Sequence, residues 1–273
     1  MAAVATALGA CGFPEGSGAK ARALYTQVIE HAPQAQVHLE QLEQMAREGG
    51  EQAAFYAGLL YDPGLGERED LNKAAQFYAI AAKRLAAAQF NLALLMFQGA
   101  RLDGPRQPDP RALLQQAADA GRPEATLLLA TVLTQGLGPI APEPAQAAVQ
   151  FERALSATGD QRAALGLGVC FQEGRGCPVD LSRARELLMR AANEGLPEAQ
   201  SRLADLAQDG VRAAQWRLVA ASQDPDRLPA ALAALGTLSQ ADRDAARQAA
   251  QLWVHVHMSP SNRRPLIAPL QSL

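Results

Sequence analysis

The sequence predicts an all-helical protein made of repeated helix pairs. An alanine-rich segment recurs after about thirty-five residues, which is the length of one helix pair in helical repeat proteins. Its landmark alanine stands at Ala53, Ala88, Ala125, Ala163 and Ala199, at intervals of 35, 37, 38 and 36 residues. Hydrophobic residues make up 48% of the chain but aromatic residues only 5%. Because alanine, leucine and glutamine are good helix formers, this composition favours helices over sheets.

Five repeats follow from these landmarks, and they are bounded by helix stop and start signals. The predicted repeats span 51–85, 86–122, 123–160, 161–196 and 197–224. At Gly121-Arg122-Pro123 and again at Gly195-Leu196-Pro197, glycine ends one helix in a left-handed conformation and proline opens the next. The second helix of each of the first four repeats is predicted to begin at an acidic cap, the weakest being Glu143. These caps are Asp70, Asp109, Glu143 and Asp180.

Two repeats differ from the others in the connection between their helices. The landmark alanine lies 28 or 29 residues before the small residues that end the second helix in the first four repeats. In the fifth repeat the distance from Ala199 to Ala220 is only 21 residues, which predicts a truncated loop at Gly210-Val211-Arg212. The second repeat has a connection at 99–108 that is rich in glycine and proline. Because these two connections differ from the common repeat pattern, we expect functional sites specific to this protein near them.

Flanking segments are predicted on both sides of the repeats. Residues 19–50 form an amino-terminal helix pair, with helices at Ala19–Glu30 and Gln34–Glu48. Residues 225–258 form carboxyl-terminal capping helices at Leu228–Leu238 and Ala241–His255, since a repeat array needs polar ends. Residues 1–18 are a predicted signal remnant and flexible spacer, and residues 259–273 an irregular tail.

The repeat at 161–196 resembles the Sel-one-like repeat family, which is related to the tetratricopeptide repeat. The resemblance rests on Leu167-Gly168, Phe171, Gly174-Arg175-Gly176, Asp180, Arg183-Ala184 and Ala191-Ala192, and it covers roughly Glu51–Gln223. The first and fourth repeats match best. The resemblance implies a right-handed superhelical solenoid of antiparallel helix pairs with helical end caps. It also implies a protein that holds other proteins together and is not an enzyme.

A second apolar stripe on the first helices is a candidate groove for a partner. One face of each first helix, such as Ala53, Ala57 and Tyr61, is expected to pack on the second helix. Residues on nearly the opposite side form the second stripe, which by resemblance lines the concave groove and becomes more polar toward Ser201 and Asp205. Core between repeats is the alternative interpretation. The stripe comprises Phe55, Leu59, Phe90, Leu94, Phe97, Leu127, Thr131, Leu165, Val169 and Gln172.

The three cysteines suggest two different roles. Leu8-Gly9-Ala10-Cys11 matches a bacterial lipobox, in which the cysteine receives lipid, although the preceding apolar run is short and lacks a positive charge. We expect a longer signal whose start is truncated, which predicts lipid anchoring to the outer membrane on the periplasmic side; a cytoplasmic protein is the alternative. Cys170 and Cys177 flank one turn, so a disulfide bond and two buried thiols are both open.

The remaining sequence offers little for catalysis or cofactors. The formal net charge of −3 gives no basic surface, so nucleic acid is not an expected partner. The pair at His255 and His257 points to different sides of a helix, which argues against a metal site. No metal, cofactor or catalytic residue is therefore predicted.

The predicted function is that of a non-catalytic adaptor or scaffold for a protein partner. We expect it to act in a bacterial envelope assembly or secretion complex and to bind through the concave surface. The alternative is an immunity protein that occludes a toxic effector enzyme.

Overall fold

The computed structural model describes residues 17–31, 33–66 and 68–258, in which helices are joined by short turns and irregular connections. They form fourteen α-helices and one short 3₁₀ helix, and their only β pairing is an isolated bridge between Leu137 and Ile140. The all-helical prediction is confirmed. The helices are α1 (Ser17–Ile29), α2 (Ala35–Arg47), α3 (Glu51–Tyr61), α4 (Leu71–Ala81), α5 (Ala86–Phe97), α6 (Pro110–Asp119), α7 (Pro123–Gln135), α8 (Pro144–Thr158), α9 (Gln161–Glu173), α10 (Leu181–Asn193), α11 (Pro197–Asp205), α12 (Gly210–Gln223), the 3₁₀ helix Pro225–Arg227, α13 (Leu228–Gly236) and α14 (Gln240–His257).

The described residues fall into two compact units. The amino-terminal unit contains the residues up to Leu129 together with Leu137–Ile140. The carboxyl-terminal unit contains Ala130–Gly136 and the residues from Ala141 onward. No described helix combines the length and the apolar character needed to cross a bilayer. Residues 1–16 of the predicted spacer at 1–18 and the irregular tail at 259–273 lie outside the described residues. Ser17 and Gly18, predicted as spacer, belong to the first turn of α1.

In the amino-terminal unit, helices that follow one another in the chain pack side by side from α1 to α6. Helix α1 also packs against α3, and α2 against α4. The core contains the largest fully buried side chains of the unit, Tyr56, Tyr78 and Phe55. The rings of Tyr25 and Tyr56 stack with 5.1 Å between centroids, so α1 is joined to the first repeat by aromatic contact.

The carboxyl-terminal unit follows the same rule from α8 to α13. Neighbouring helices pack in sequence, α9 also contacts α11, and α12 is covered by both α13 and α14. Its core includes Leu188, Leu218, Trp216 and Trp253. The two indole rings meet edge to face at 5.3 Å, which fixes α14 against the last repeat.

The predicted helix starts are present at the second helices. The side chains of Asp70, Asp109 and Asp180 accept hydrogen bonds from backbone N–H groups of the first turn, at 2.9–3.1 Å. Glu143 forms no capping hydrogen bond, in agreement with its prediction as the weakest cap. At the junctions, Gly121 and its counterpart Gly195 have φ values of 86° and 83°, in the left-handed region that glycine adopts without strain.

The structure corrects the prediction for the fifth repeat. Residues Gly210, Val211 and Arg212 form the first turn of α12 and not a loop, because the Asp209 side chain caps the helix by accepting from the Arg212 N–H at 2.7 Å. Helix α11 instead ends early, at Asp205. The missing residues are therefore lost from the end of α11 and from the connection that follows it.

The connection at 99–108 in the second repeat is held by side chains. The amide of Asn72 on α4 accepts from the Arg101 N–H at 2.8 Å, and Gln76 donates to Asp103 at 2.8 Å. The Gln107 side chain both accepts from the Leu102 N–H and donates to its carbonyl, each at 2.9 Å. Despite its glycine and proline content, this connection is fixed against the preceding repeat.

Helices α3 and α4 approach closely at Gly58. A Cβ atom placed on Gly58 would lie 2.6 Å from the ring of Tyr78. The Tyr78 hydroxyl donates to the buried carboxylate of Asp62 at 2.9 Å. Burial, reinforced by this carboxylate, raises the pKa of Tyr78 well above its usual value, so the hydroxyl stays a donor. The ring is therefore held at both its face and its tip.

We predict that Gly58→Ala destabilises the protein, because the added methyl group must displace the Tyr78 ring. The expected loss is about 1–3 kcal/mol of unfolding free energy, as for overpacked cores. Gly236→Ala at the end of α13 is the matched control, because a Cβ there meets no atom within 4 Å. It should leave stability unchanged or raise it slightly. Equal melting temperatures for the two variants would contradict the argument.

Candidate partner-binding surface

The second stripe does not form an accessible surface in the first repeat. Phe55 and Leu59 are each 1% exposed, so they lie in the core of the amino-terminal unit. The reason is that α1 packs against α3 and Phe55 meets the ring of Tyr78 at 5.8 Å. We correct the prediction for these two residues: they stabilise the unit and do not present their side chains to a partner.

Helix α5 keeps part of the stripe accessible. Phe90, Leu94 and Phe97 are half-buried, whereas Leu92 and Leu95 on the same helix are each 1% exposed. The guanidinium of Arg122 lies 5.0 Å from the centroid of the Phe90 ring, a cation–π contact. The stripe residues of α7 are Leu127, half-buried in the amino-terminal unit, and Thr131, exposed in the carboxyl-terminal unit.

In the carboxyl-terminal unit the stripe runs from apolar to polar side chains. Leu165 and Val169 on α9 are partly buried against the core, and Gln172 is half-buried. At the equivalent positions of α11 stand Ser201 and Asp205, which line a cavity of about 420 Å³. The stripe therefore becomes more polar toward α11, as the sequence predicts.

The arginines that face this cavity were not predicted. The guanidinium of Arg227 donates to the Ser201 hydroxyl at 2.8 Å, to Asp224 at 2.9 Å and to Glu198 at 3.0 Å. Arg217 contacts Asp205 at 3.4 Å. Arg227 lies 26 residues after Ser201, outside the repeats, so the repeat pattern gives no signal for it.

The same charges continue along α11 as a network. Arg202 pairs with Glu198 at 3.0 Å and also with Glu173 on α9. Burial acts to raise the pKa of Glu198, but hydrogen bonds from Arg202 and Arg227 outweigh it and hold the pKa below its usual value. Because cations and carboxylates alternate in this network, the edge of the cavity offers a partner directed hydrogen bonds but little net charge.

The two cysteines of the fourth repeat are free thiols, which corrects the disulfide alternative. Cys170 is buried in α9 and Cys177 is half-buried in the connection after it. Burial, with a smaller contribution from Cys177, raises the pKa of Cys170 to about 11. Burial also raises the pKa of Cys177. Both thiols therefore stay protonated at neutral pH, a weakly nucleophilic state. Cys11 lies outside the described residues.

Within residues 17–31, 33–66 and 68–258, no group of three His, Cys, Asp or Glu side chains is placed to hold a metal ion. His257 lies against Trp253, with 4.8 Å between ring centroids and its Nδ1 atom 3.1 Å from the Trp253 carbonyl oxygen. Its contacts are those of a residue packed at a helix end.

Paired helices that recur at a nearly fixed interval, with part of an apolar stripe left accessible, define the class. The chain is a helical repeat protein, and its candidate functional site is the partly accessible apolar stripe. The particular repeat is identified by comparison with known proteins.

Three segments match the family model of the Sel1 repeat, at residues 51–84, 86–121 and 161–196. The chain therefore contains Sel1 repeats, and the predicted resemblance is confirmed. The matched segments correspond to the first, second and fourth predicted repeats. Proteins with Sel1 repeats generally act as protein-interaction adaptors.

Solved structures share this fold, and two curated proteins match part of the sequence. A Sel1 repeat protein from Oxalobacter formigenes has a TM-score of 0.58 and 27% identity, over 75% of this chain and 84% of that one. The protective antigen c5321 of uropathogenic Escherichia coli, which displays an SLR fold, has a TM-score of 0.52 and 18% identity, over 89% and 62%. The DAP3-binding cell death enhancer 1 of Mus musculus is 32% identical over 38% of this chain, and that of Rattus norvegicus 33% identical. The match spans 20% of the length of these curated relatives.

We predict that Arg227→Met lowers the stability of the carboxyl-terminal unit, because it removes three hydrogen bonds. The loss should stay below about 1 kcal/mol, since the Glu198 side chain is 43% exposed and solvent screens the pair. Glu198 has a lowered pKa in the folded state, so its contribution is present above its unfolded pKa and is lost as the pH falls through the folded one. The difference from wild type should therefore shrink on acidification.

Thermal melts of both proteins between neutral pH and acid pH measure this difference. Arg217→Met is the matched control, because it removes a single contact at 3.4 Å. A larger effect of the control, or a difference that grows in acid, would show that the network does not act as described.

Proposed function

We propose that this chain is a non-catalytic adaptor that binds a protein partner through the accessible part of the second stripe. The observation that carries the proposal is the half-buried state of Phe90, Leu94 and Phe97 on α5. Phe90 and Leu94 stand at the repeat positions whose counterparts in the first repeat, Phe55 and Leu59, are covered by other helices of the unit. A partner segment would complete the same burial.

The chemistry of these residues suits protein recognition. Aromatic side chains bury a large area at low cost in conformational entropy, and they are enriched among the residues that dominate interface energies. Arg122 above the Phe90 ring keeps a polar group beside the apolar surface. An apolar centre next to polar groups is the common anatomy of an interface that forms between separately folded proteins.

The carboxyl-terminal unit supplies a different kind of contact. Leu165 and Val169 offer modest apolar area, while Ser201, Asp205 and Arg227 offer hydrogen bonds. Hydrogen-bonding groups fixed by a network orient a partner more than they attract it. We therefore assign affinity to the stripe on α5 and selectivity to the polar part of the stripe.

We further propose that the adaptor acts in a bacterial envelope complex, held to the outer membrane by lipid on Cys11. The support for this location is the sequence Leu8-Gly9-Ala10-Cys11, in which small residues precede the cysteine as in a lipobox. An anchored adaptor would hold its partner close to the membrane and raise its local concentration there.

We predict that the double substitution Phe90→Ser and Phe97→Ser weakens partner binding by about tenfold or more, as expected when aromatic anchors are removed. The partner is first captured from the native organism and identified, and the affinity is then measured with purified proteins. Val149→Ser on α8 is the matched control, since Val149 is 62% exposed and lies off the stripe. Helical content should be unchanged in all variants, and the double variant should remain folded at the temperature of the binding measurement.

Undiminished binding by a folded double variant would refute the stripe as the binding surface. The identity of the partner tests the wider role. Components of an envelope complex support the adaptor, whereas one toxic enzyme that loses activity on binding would assign an immunity role. Hydrolytic activity of the purified chain, abolished by a single substitution, would contradict the non-catalytic proposal.

We predict that Cys11→Ser abolishes incorporation of radiolabelled fatty acid into the protein expressed from its complete gene in a bacterial host. Cys177→Ser is the matched control, because it removes the one partly exposed cysteine of the described residues. It should retain the label and fractionate with the membrane. A wild-type protein that is unlabelled and found in the cytoplasm would refute the proposed location.

A further inference from the structure

Two of the repeats share a cation–aromatic pair that links their helices. In the first repeat the Lys73 Nζ atom lies 4.0 Å from the centroid of the Tyr61 ring. In the fourth, the Arg183 guanidinium lies 4.5 Å from the ring of Phe171. Both rings stand eight residues after the landmark alanine, and both cations stand three residues after the capping aspartate. The pair is thus a repeat feature in which the ring at the end of the first helix supports the cation.

The fifth repeat keeps the cation but lacks the ring. Three residues after its capping aspartate, Asp209, stands Arg212, whereas eight residues after Ala199 stands Ala207. Helix α11 ends six residues after its landmark alanine, while α9 ends ten residues after its own. The place that an aromatic side chain occupies in the fourth repeat therefore has neither a ring nor the last turn of the helix.

A cavity of about 330 Å³ lies at this place, within the carboxyl-terminal unit. Its wall includes Ala207 and Arg212 themselves. Its apolar side chains are Met189, Leu203, Leu206 and Trp216. The volume is in the lower range of ligand pockets, enough for a side chain rather than for a few water molecules.

A second arginine at the cavity also departs from the repeat pattern. Arg185 stands five residues after the capping Asp180, and the counterparts in other second helices are the buried residues Ala75, Leu114 and Ala148. Arg185 is exposed and donates to the backbone carbonyl of Leu206 at 3.2 Å. Across the described part of the chain, no carboxylate lies within ion-pair distance of Arg185 or Arg212.

We propose that this cavity binds an aromatic side chain from a partner protein, in a segment where an acidic residue is adjacent to the aromatic one. The ring would take the place that Phe171 has in the fourth repeat, with Arg212 on its face and Trp216 below it. The carboxylate would pair with Arg185, which charge complementarity requires. This contact is separate from the stripe on α5 and extends the adaptor function to a second site.

Short capped peptides test the proposal without knowledge of the partner. The probe is Ac-Gly-Phe-Glu-Gly-NH₂, and the comparison peptides carry Gln in place of Glu or Ala in place of Phe. Binding is followed by NMR of the full chain through the indole N–H signal of Trp216, assigned with a Trp216→Phe variant. We expect saturable binding of the probe at millimolar concentration, affinity about fivefold weaker for the Gln peptide, and none for the Ala peptide.

Substitutions of the chain provide the second arm. Ala207→Phe restores the ring within the chain, so it should abolish peptide binding and raise the melting temperature by filling the cavity. Arg212→Gln should weaken binding, and Arg190→Gln, an exposed arginine elsewhere on α10, should not. These variants leave the stripe on α5 intact, so failure here is distinguishable from failure of the proposed function.

Three outcomes would overturn the proposal. The first is the absence of a Trp216 shift with the probe at millimolar concentration, and the second is equal binding of all three peptides. The third is self-association of the chain that Ala207→Phe abolishes while the peptides fail to bind, since the occupant would then be a second copy.

Discussion

The close approach of paired helices is the constraint on which the rest of the structure depends. In the first repeat, Gly58 leaves room for the face of the Tyr78 ring on the paired helix. In the fourth, Gly168 lies against Leu188 in the same way, with only 3.0 Å between a would-be Cβ and that side chain. A side chain at Gly58 would have to displace the Tyr78 ring, and one at Gly168 would have to shift Leu188, so either would disturb the packing of its helix pair. The small residues therefore determine the geometry, and the larger ones fill the space that remains.

Because this constraint is local, much of the fold could be predicted from the sequence. The caps at Asp70 and Asp180 depend on hydrogen bonds within a few residues, so residue type and spacing suffice to find them. Phe55 and Leu59 were wrongly predicted to be accessible, because their environment depends on residues far away in the chain. Their burial depends on α1, which lies outside the repeats and whose packing on α3 no repeat pattern describes. The Arg227 contacts likewise join residues far apart in the chain.

The error at Gly210 shows what a count of residues can and cannot give. The count established correctly that seven residues are missing from the fifth repeat relative to the first and fourth. The count could not show where those seven residues are missing, because Gly210 and Val211 are compatible both with a loop and with the first turn of a helix. The Asp209 cap decides the matter, since it ends the connection one residue before Gly210. The shortening then falls on α11, at the place where the first and fourth repeats carry an aromatic side chain.

A repeat in which only half of an interacting pair remains is more informative than one in which both members are replaced. In the second repeat the corresponding positions carry Met96 and Ala112. Both side chains are apolar, so neither needs a charged or aromatic group beside it. The fifth repeat has Ala207 but keeps Arg212, a cation without the ring that supports its counterparts. An exposed arginine is easily hydrated, so stability alone does not require a replacement. The cavity beside it is lined by Trp216 and Leu203, however, and apolar surface in a concave site is stabilised when it is covered. An aromatic ring satisfies both the Arg212 cation and the apolar wall of the cavity. Its face attracts the cation, and its edges cover the apolar side chains.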